Sequence, residues 1–315
     1  MAFSPYGTDL FGNPSGPSGP VGVVAQRFVF PPFSVLDARQ GEWQDRKRAW
    51  IASGIKSEIG RSAPVYSNQS WYEEKKGSKV TDGDGTSIFD PVVCELVYKW
   101  FSAAGGAILD PFAGGSVRGI VAAALGRQYT GIELRGEQVE ANRAQAGAMG
   151  VSPAPLWICG DSAVALAPGG TCAGAYDLVF SCPPYGDLEV YSDDPADLSA
   201  MEWGAFVGAY RAIIALAVAR LREDRFACFV VGDFRDTRGI MRNFVGETVE
   251  AFTRAGAALY NEAILVTSVG TAAMRVTKQF TAGRKFAKTH QNLLVFVKGD
   301  PRRAAHAAGT VEGGT

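Results

Sequence analysis

Short apolar runs alternate with longer amphipathic stretches from residue 88 onward. Apolar residues in "DPVVCELVYKWFSAAG" recur at i, i+3, i+4, which predicts a helix. There follow strand "AILD", helix "SVRGIVAAALG", strand "QYTGIE", helix "GEQVEANRAQAGAM", and strands "PLWICGD" and "YDLVFS". A long helix near residues 200–221, strand "RFACFVVGD" and helix "MRNFVGETVEAFTRAG" come next. Two strands, "YNEAILVTSV" and "QNLLVFVKG", close the pattern across a polar loop. Short apolar strands alternating with helices predict an α/β fold, a Rossmann-like, mostly parallel sheet with helices on both faces. Two successive strands at the end predict an antiparallel last hairpin.

The flanks read differently. Residues 1–24 are rich in Gly, Pro and Ser and are expected to be flexible. Residues 25–87 form an accessory region: "RFVFPPFSVLDA" is strand-like up to its prolines, and "GEWQDRKRAWIASGIK" carries Trp43, Arg46, Lys47 and Trp50 at helical spacing. That spacing suits a small satellite core with a charged outer side better than a DNA-reading face. The α/β region is expected over 88–299, and the Ala/Gly-rich residues 300–315 as a disordered tail.

Composition narrows the class. In 315 residues, 47% hydrophobic and 20% charged content predicts a globular protein. The first residues carry neither a basic nor an apolar leader segment, so no secretory signal is expected. The five cysteines form no CxxC pair, which argues against a zinc site and for a reducing, cytoplasmic setting; no metal is expected. A net charge of −1 argues against a generic nucleic-acid coating protein but leaves room for a local basic surface.

Candidate chemistry lies at the strand ends. "AILDPFAGGSV" ends a strand in Asp110 and runs through small residues into a helix whose amides can receive an anion. Gly114 and Gly115 permit close approach to the main chain, and the spacing is not GxGxxG, which disfavours a dinucleotide. The second strand ends in Glu133, placed to accept from ribose hydroxyls, and the third brings Asp161 to the same edge. The fourth ends in "SCPPYGDLEVY": Pro183 and Pro184 stiffen a turn and remove two backbone donors, and Tyr185 offers a flat face to a base.

This set resembles the S-adenosylmethionine-dependent DNA methyltransferases of the amino-methylating (N4-cytosine/N6-adenine) type, in their phage and bacterial forms. The resemblance covers about residues 87–299. It implies a seven-stranded sheet with a reversed last hairpin, matching the strand count. It also implies that Phe89, Asp90 and Pro91 meet the cofactor's methionine end, that Asp110, Phe112 and Gly114 form its glycine motif, and that Glu133 holds its ribose. Asp161 and Ser162 would lie beside its adenine, and Cys182, Pro183, Pro184 and Tyr185 would form the catalytic turn for a base flipped out of DNA.

Cys182 departs from the family, which has Asp, Asn or Ser there. Thiol sulfur is a poor acceptor for an exocyclic amine. Cys182 stands in for Ser in an N4-cytosine enzyme, or its thiolate attacks cytosine C6 to activate C5, or it is a small buried residue. Both functional readings point to cytosine. N6-adenine methylation, RNA base methylation and non-catalytic DNA docking are the alternatives.

Residues 271–299 carry Arg275, Lys278, Arg284, Lys285, Lys288 and Lys298 with no Asp or Glu. The first five, in the loop between the last strands, are candidate phosphate contacts. His290 is expected to be structural and Arg118 to lie on the surface. The acidic stretch after the turn reads as an exposed loop or a flap, with Glu189 as a candidate base contact. No separate recognition domain is evident, so recognition falls to residues 25–87, the loops or a second subunit.

Overall fold

The computed structural model describes residues 23–56, 89–186, 192, 194–270 and 272–311. The chain opens with α1 (Val23–Phe28), β1 (Val35–Asp37) and α2 (Gly41–Ala52). Then come α3 (Pro91–Phe101), β2 (Ala107–Asp110), α4 (Val117–Ala124), β3 (Gln128–Glu133), α5 (Gly136–Met149), β4 (Leu156–Cys159), α6 (Ser162–Ala165) and β5 (Tyr176–Ser181). The second half holds α7 (Trp203–Arg220), β6 (Leu221–Val231), β7 (Phe234–Arg235), β8 (Met241–Arg242) and α8 (Phe244–Arg254). It ends with β9 (Ala258–Val266), α9 (Ala272–Gly283), β10 (His290–Lys298) and α10 (Pro301–Ala308).

The main sheet runs β1-β9-β10-β6-β5-β2-β3-β4. Its pairs are parallel except that β10 is antiparallel to both β6 and β9. This is the predicted seven-stranded arrangement with its reversed last hairpin, plus one edge strand, β1. Central strands β2, β5 and β6 bury nearly every residue beyond their first turns, as strands covered on both faces must. One core packs α2, α3, α4, α5 and α10 on one face; the other packs α6, α7 and α8. By length and apolarity α7 could cross a membrane, yet Phe206, Tyr210, Ile213, Ile214, Ala217 and Val218 lie in this second core.

From β2 the chain winds outward through β3 to β4, then returns to β5 on the other side of β2. That reversal opens a crevice at the carboxyl ends of the strands. Gly131 in β3 lets strand and side chains close up beneath it: a Cβ there would lie 2.7 Å from the Tyr129 ring and 2.8 Å from Ala113.

The flanks differ from expectation. "RFVF" is not a strand: α1 occupies residues 23–28, and the strand forms only after Pro31 and Pro32, where β1 pairs Leu36 with Leu265. Pro lacks the ladder donor, so strand pairing waits until past it. Trp43, Arg46 and Trp50 are buried as the satellite-core reading anticipates, but in the main core rather than a separate one. Arg46 Nε donates to Glu95 Oε2 at 2.6 Å, and Trp50 Nε1 donates to the same oxygen at 2.9 Å. The loop expected between the last strands contains α9. The expected disordered tail contains α10: Asp300 caps it by accepting from the Arg302 and Arg303 amides, Pro301 stands at its first position, and Ala304 is buried.

Candidate active site

A cavity of ≈ 700 Å³ opens at the carboxyl ends of β2 to β6. Phe89, Asp90, Phe112, Gly114, Glu133, Asp161, Ser162 and the whole Cys182–Tyr185 turn line it, so most of the sequence-predicted site residues converge. Of the cofactor and catalytic candidates two do not: Pro91 is buried at the first position of α3, and Asp110 lies beneath the cavity.

Asp110 is fully buried and surrounded by donors. Its Oδ1 accepts from Ser181 Oγ at 2.5 Å and the Phe112 amide at 3.2 Å, and its Oδ2 from Arg118 Nε at 2.5 Å and Tyr129 Oη at 2.7 Å. Four donors leave no role for a ligand hydroxyl. Arg118 is correspondingly not a surface residue. It is 5% exposed, its guanidinium also donates to the Phe112 and Ala113 carbonyls, and it lies 4.6 Å over the Phe89 ring. Burial alone would lower its pKa, but the Asp110 carboxylate outweighs that and keeps Arg118 charged. The pair anchors the first turn of α4 under the cavity floor.

Gly114 adopts φ +51, a left-handed conformation that favours glycine, and the position where a Cβ would stand is open. Its amide donates to Glu133 Oε2 at 2.9 Å, while Glu133 Oε1 accepts from the Arg135 amide at 3.1 Å. Burial raises the Glu133 pKa, an effect the Arg135 and Gly114 contacts oppose and the nearby Asp197 carboxylate adds to. Asp161 caps α6 through Oδ1 and the Ala163 amide at 2.8 Å while lining the cavity. Ser162 Oγ donates to the Pro111 carbonyl at 2.5 Å, tying the third strand end to the first.

The opposite wall comes from residues the sequence left outside the site. Ala38, Gln44 and Lys47 line it from the N-terminal region. Asp90 caps α3 through the Val92 amide, and its Oδ2 takes Trp43 Nε1 at 3.1 Å and Lys47 Nζ at 3.2 Å. Residues 38–47 are therefore part of the cavity. Their wall is set by contacts 43 or more positions away in sequence, beyond the reach of periodicity.

The turn after β5 stands between these walls. Pro183 is buried, and Cys182 is half-buried against the core yet faces the cavity, which Arg118 also lines. Gln291 Nε2 donates to Tyr185 Oη at 2.7 Å, and the Phe234 and Phe244 rings meet Tyr185 at 86° and 66°. The phenol is thus held from three directions. Asp233, whose Oδ1 accepts from the Val245 amide at 2.9 Å, shares this wall with Thr267, Ser268 and His290.

Of the five basic candidates only Lys288 lines the cavity. Desolvation lowers its pKa, and Asp233 opposes the shift. Arg275, Lys278, Arg284 and Lys285 lie on or just beyond α9, outside the cavity. Glu189 lies outside the described residues.

No protein-family model matches the chain, and no curated protein matches it. Solved structures do. TrmN from Thermus thermophilus aligns over 67% of this chain at 17% identity and a TM-score of 0.44. A putative SAM-dependent methyltransferase from Streptococcus mutans aligns over 68% at 16% identity and 0.46. Magnesium protoporphyrin IX methyltransferase from Synechocystis, with bound SAM, aligns over 69% at 13% identity and 0.42, covering 87% of that chain. Against the first two, this chain spans about half of their length, 49% and 51%.

Proposed function

We propose that this protein binds S-adenosylmethionine at the strand ends and methylates a cytosine flipped out of DNA. The observation that carries the reading is the Cys182-Pro-Pro-Tyr185 turn facing the same ≈ 700 Å³ cavity as Gly114, Glu133 and Asp161. The residues fit the cofactor. The volume lies within the roughly 300–1,000 Å³ of small-molecule sites. The space beside Gly114 is open to a ligand, Glu133 presents a carboxylate for ribose hydroxyls, and Asp161 reaches the same wall for an adenine amine. When bound, the cofactor supplies an electrophilic methyl on a sulfonium.

The chain's own task is positioning. Tyr185, fixed by Gln291, Phe234 and Phe244, stacks the extruded base. Cys182 faces the cavity that Arg118 also lines, so its sulfur stands where the base would enter. On the C5 route the thiolate adds to cytosine C6, C5 takes the methyl, the C5 proton leaves, and sulfur departs to restore the ring; on the N4 route the amine takes the methyl directly and loses its proton.

The test is incubation with tritiated cofactor and double-stranded DNA, single-stranded DNA or RNA, followed by nucleoside mass spectrometry. Label confined to DNA as 5-methylcytosine supports the reading. N4-methylcytosine would move the target to the amine, N6-methyladenine would move it to another base, and labelled RNA would overturn the DNA assignment. No label on any substrate leaves a cofactor-binding DNA-docking protein.

A further inference from the structure

Helix α9 has twelve residues and not one buried side chain. A helix this short is marginal in water by itself. Its outer surface is apolar and basic together. Met274 is 70% exposed, Phe280 40%, and Phe286, just past the helix, 79%. The Phe280 and Phe286 rings lie 5.8 Å apart at 31°, and Arg284, held at φ +53, places its guanidinium 5.3 Å from the Phe280 centroid. Residues 263–299 contain no Asp or Glu. Among the described residues, Arg275, Lys278, Arg284 and Lys285 form no ion pair.

The β7–β8 hairpin stands beside this ledge. Lys285 packs so closely over Gly239 in the hairpin turn that a side chain there would collide with it. Ile240 and Met241 are exposed on the hairpin, whereas its Arg238 is paired with Asp236. Both elements reach the cavity, through Phe234 on one side and Lys288 on the other. An exposed apolar surface of this kind marks an interaction site. A second copy of the chain fits it poorly: an isologous contact sets a patch against itself, and here cations would face cations. A polyanion with stackable rings matches both its charge and its aromatics.

We propose that α9, residues 284–288 and the β7–β8 hairpin form a DNA-docking ledge at the cavity mouth. Phe286 stacks on a base neighbouring the extruded one, Arg275, Lys278, Arg284 and Lys285 bind phosphates, and Ile240 packs against the exposed edge of the stack. The proposal rests on the methyltransferase reading for its choice of DNA.

The experiment is fluorescence anisotropy of the full chain with a labelled DNA duplex across a salt series. Matched RNA and anionic phospholipid vesicles serve as competitors, and calorimetry with S-adenosylhomocysteine runs in parallel. Phe286→Ala should weaken DNA binding about tenfold, and Lys278→Ala should reduce the salt slope by about 1, both with cofactor affinity unchanged. Phe286→Trp should retain binding and show fluorescence quenching on adding DNA. The ledge is overturned if wild-type protein binds no DNA, if both alanine variants bind DNA like wild type, or if RNA or vesicles, not DNA, lose affinity. Methyl transfer separates the two claims. Labelled DNA with ledge-independent binding sinks only the ledge, and ledge-dependent binding without label sinks only the chemistry.

Discussion

Arg118 Nε meets Asp110 Oδ2 at 2.5 Å inside the protein, joining the first residue pair of the cavity floor. Tyr129 and Ser181 complete the carboxylate's shell, so strands β2, β3 and β5 and helix α4 are fastened at one point. Removing one member of such a buried pair strands a charge, which costs about 3–5 kcal/mol. Arg118→Met is therefore expected to lower unfolding free energy by about that amount in urea denaturation. Arg118→Lys should recover little, because one ammonium cannot serve Asp110 and two carbonyls in the geometry of the guanidinium fork.

Glu95 predicts an acid transition. Burial alone would raise its pKa, but Arg46, Lys99 and Trp50 outweigh burial and hold it below the ordinary 4.5. A carboxyl depressed on folding stabilises above its unfolded pKa, and that stability is lost as pH falls through the folded value. Tryptophan emission from α2, which carries Trp43 and Trp50, should report undocking as pH falls below 4.5. Glu95→Gln should undock α2 already at neutral pH and weaken cofactor affinity through loss of the Gln44 and Lys47 wall.

The Arg46–Glu95 pair also shows what the sequence could and could not reveal. Trp43, Arg46 and Trp50 stood out at helical spacing, but Glu95, the partner of Arg46, lies 49 positions away, and nothing in "DRKR" distinguishes a buried arginine from its solvated neighbours. Asp110 failed for a related reason. A carboxylate at a strand end reads alike whether it faces a ligand or accepts from an arginine eight residues onward, so the sequence misplaces Asp110 and Arg118 together. The succession of the main strands and helices from β2 to β10 is legible because β period and helix period alternate cleanly there, whereas the short strands β7 and β8 and helix α9 are not. The α10 cap, Asp300 before Pro301, is a helix-start signal present in the sequence, but the Ala-rich composition around it reads as a disordered tail.

Glu133 carries the opposite sign. Burial raises its pKa, so its contribution to stability is present below 4.5 and is lost as pH rises through the folded value. Glu133→Gln should thus gain melting temperature relative to wild type as pH rises from 4 to 8. The same change should weaken cofactor binding about tenfold or more, because a hydrogen-bonded charge contributes about 1.5–3 kcal/mol. Paired calorimetry and thermal melts check both.

Cys182 separates the two cytosine chemistries. Cys182→Ser should abolish methyl transfer if sulfur attacks C6, and should retain or raise it if the N4 amine is the target. Thermal melts of the variant should stay near wild type, because the two side chains differ by one atom at a half-buried position.

The central claim is that the strand tips of β2, β3, β4 and β5 hold one nucleoside cofactor. Isothermal titration of the folded full chain with S-adenosylmethionine and S-adenosylhomocysteine tests it most directly. The account predicts one site per chain for each compound, weakened by Glu133→Gln. Folded protein that takes up neither compound would contradict it.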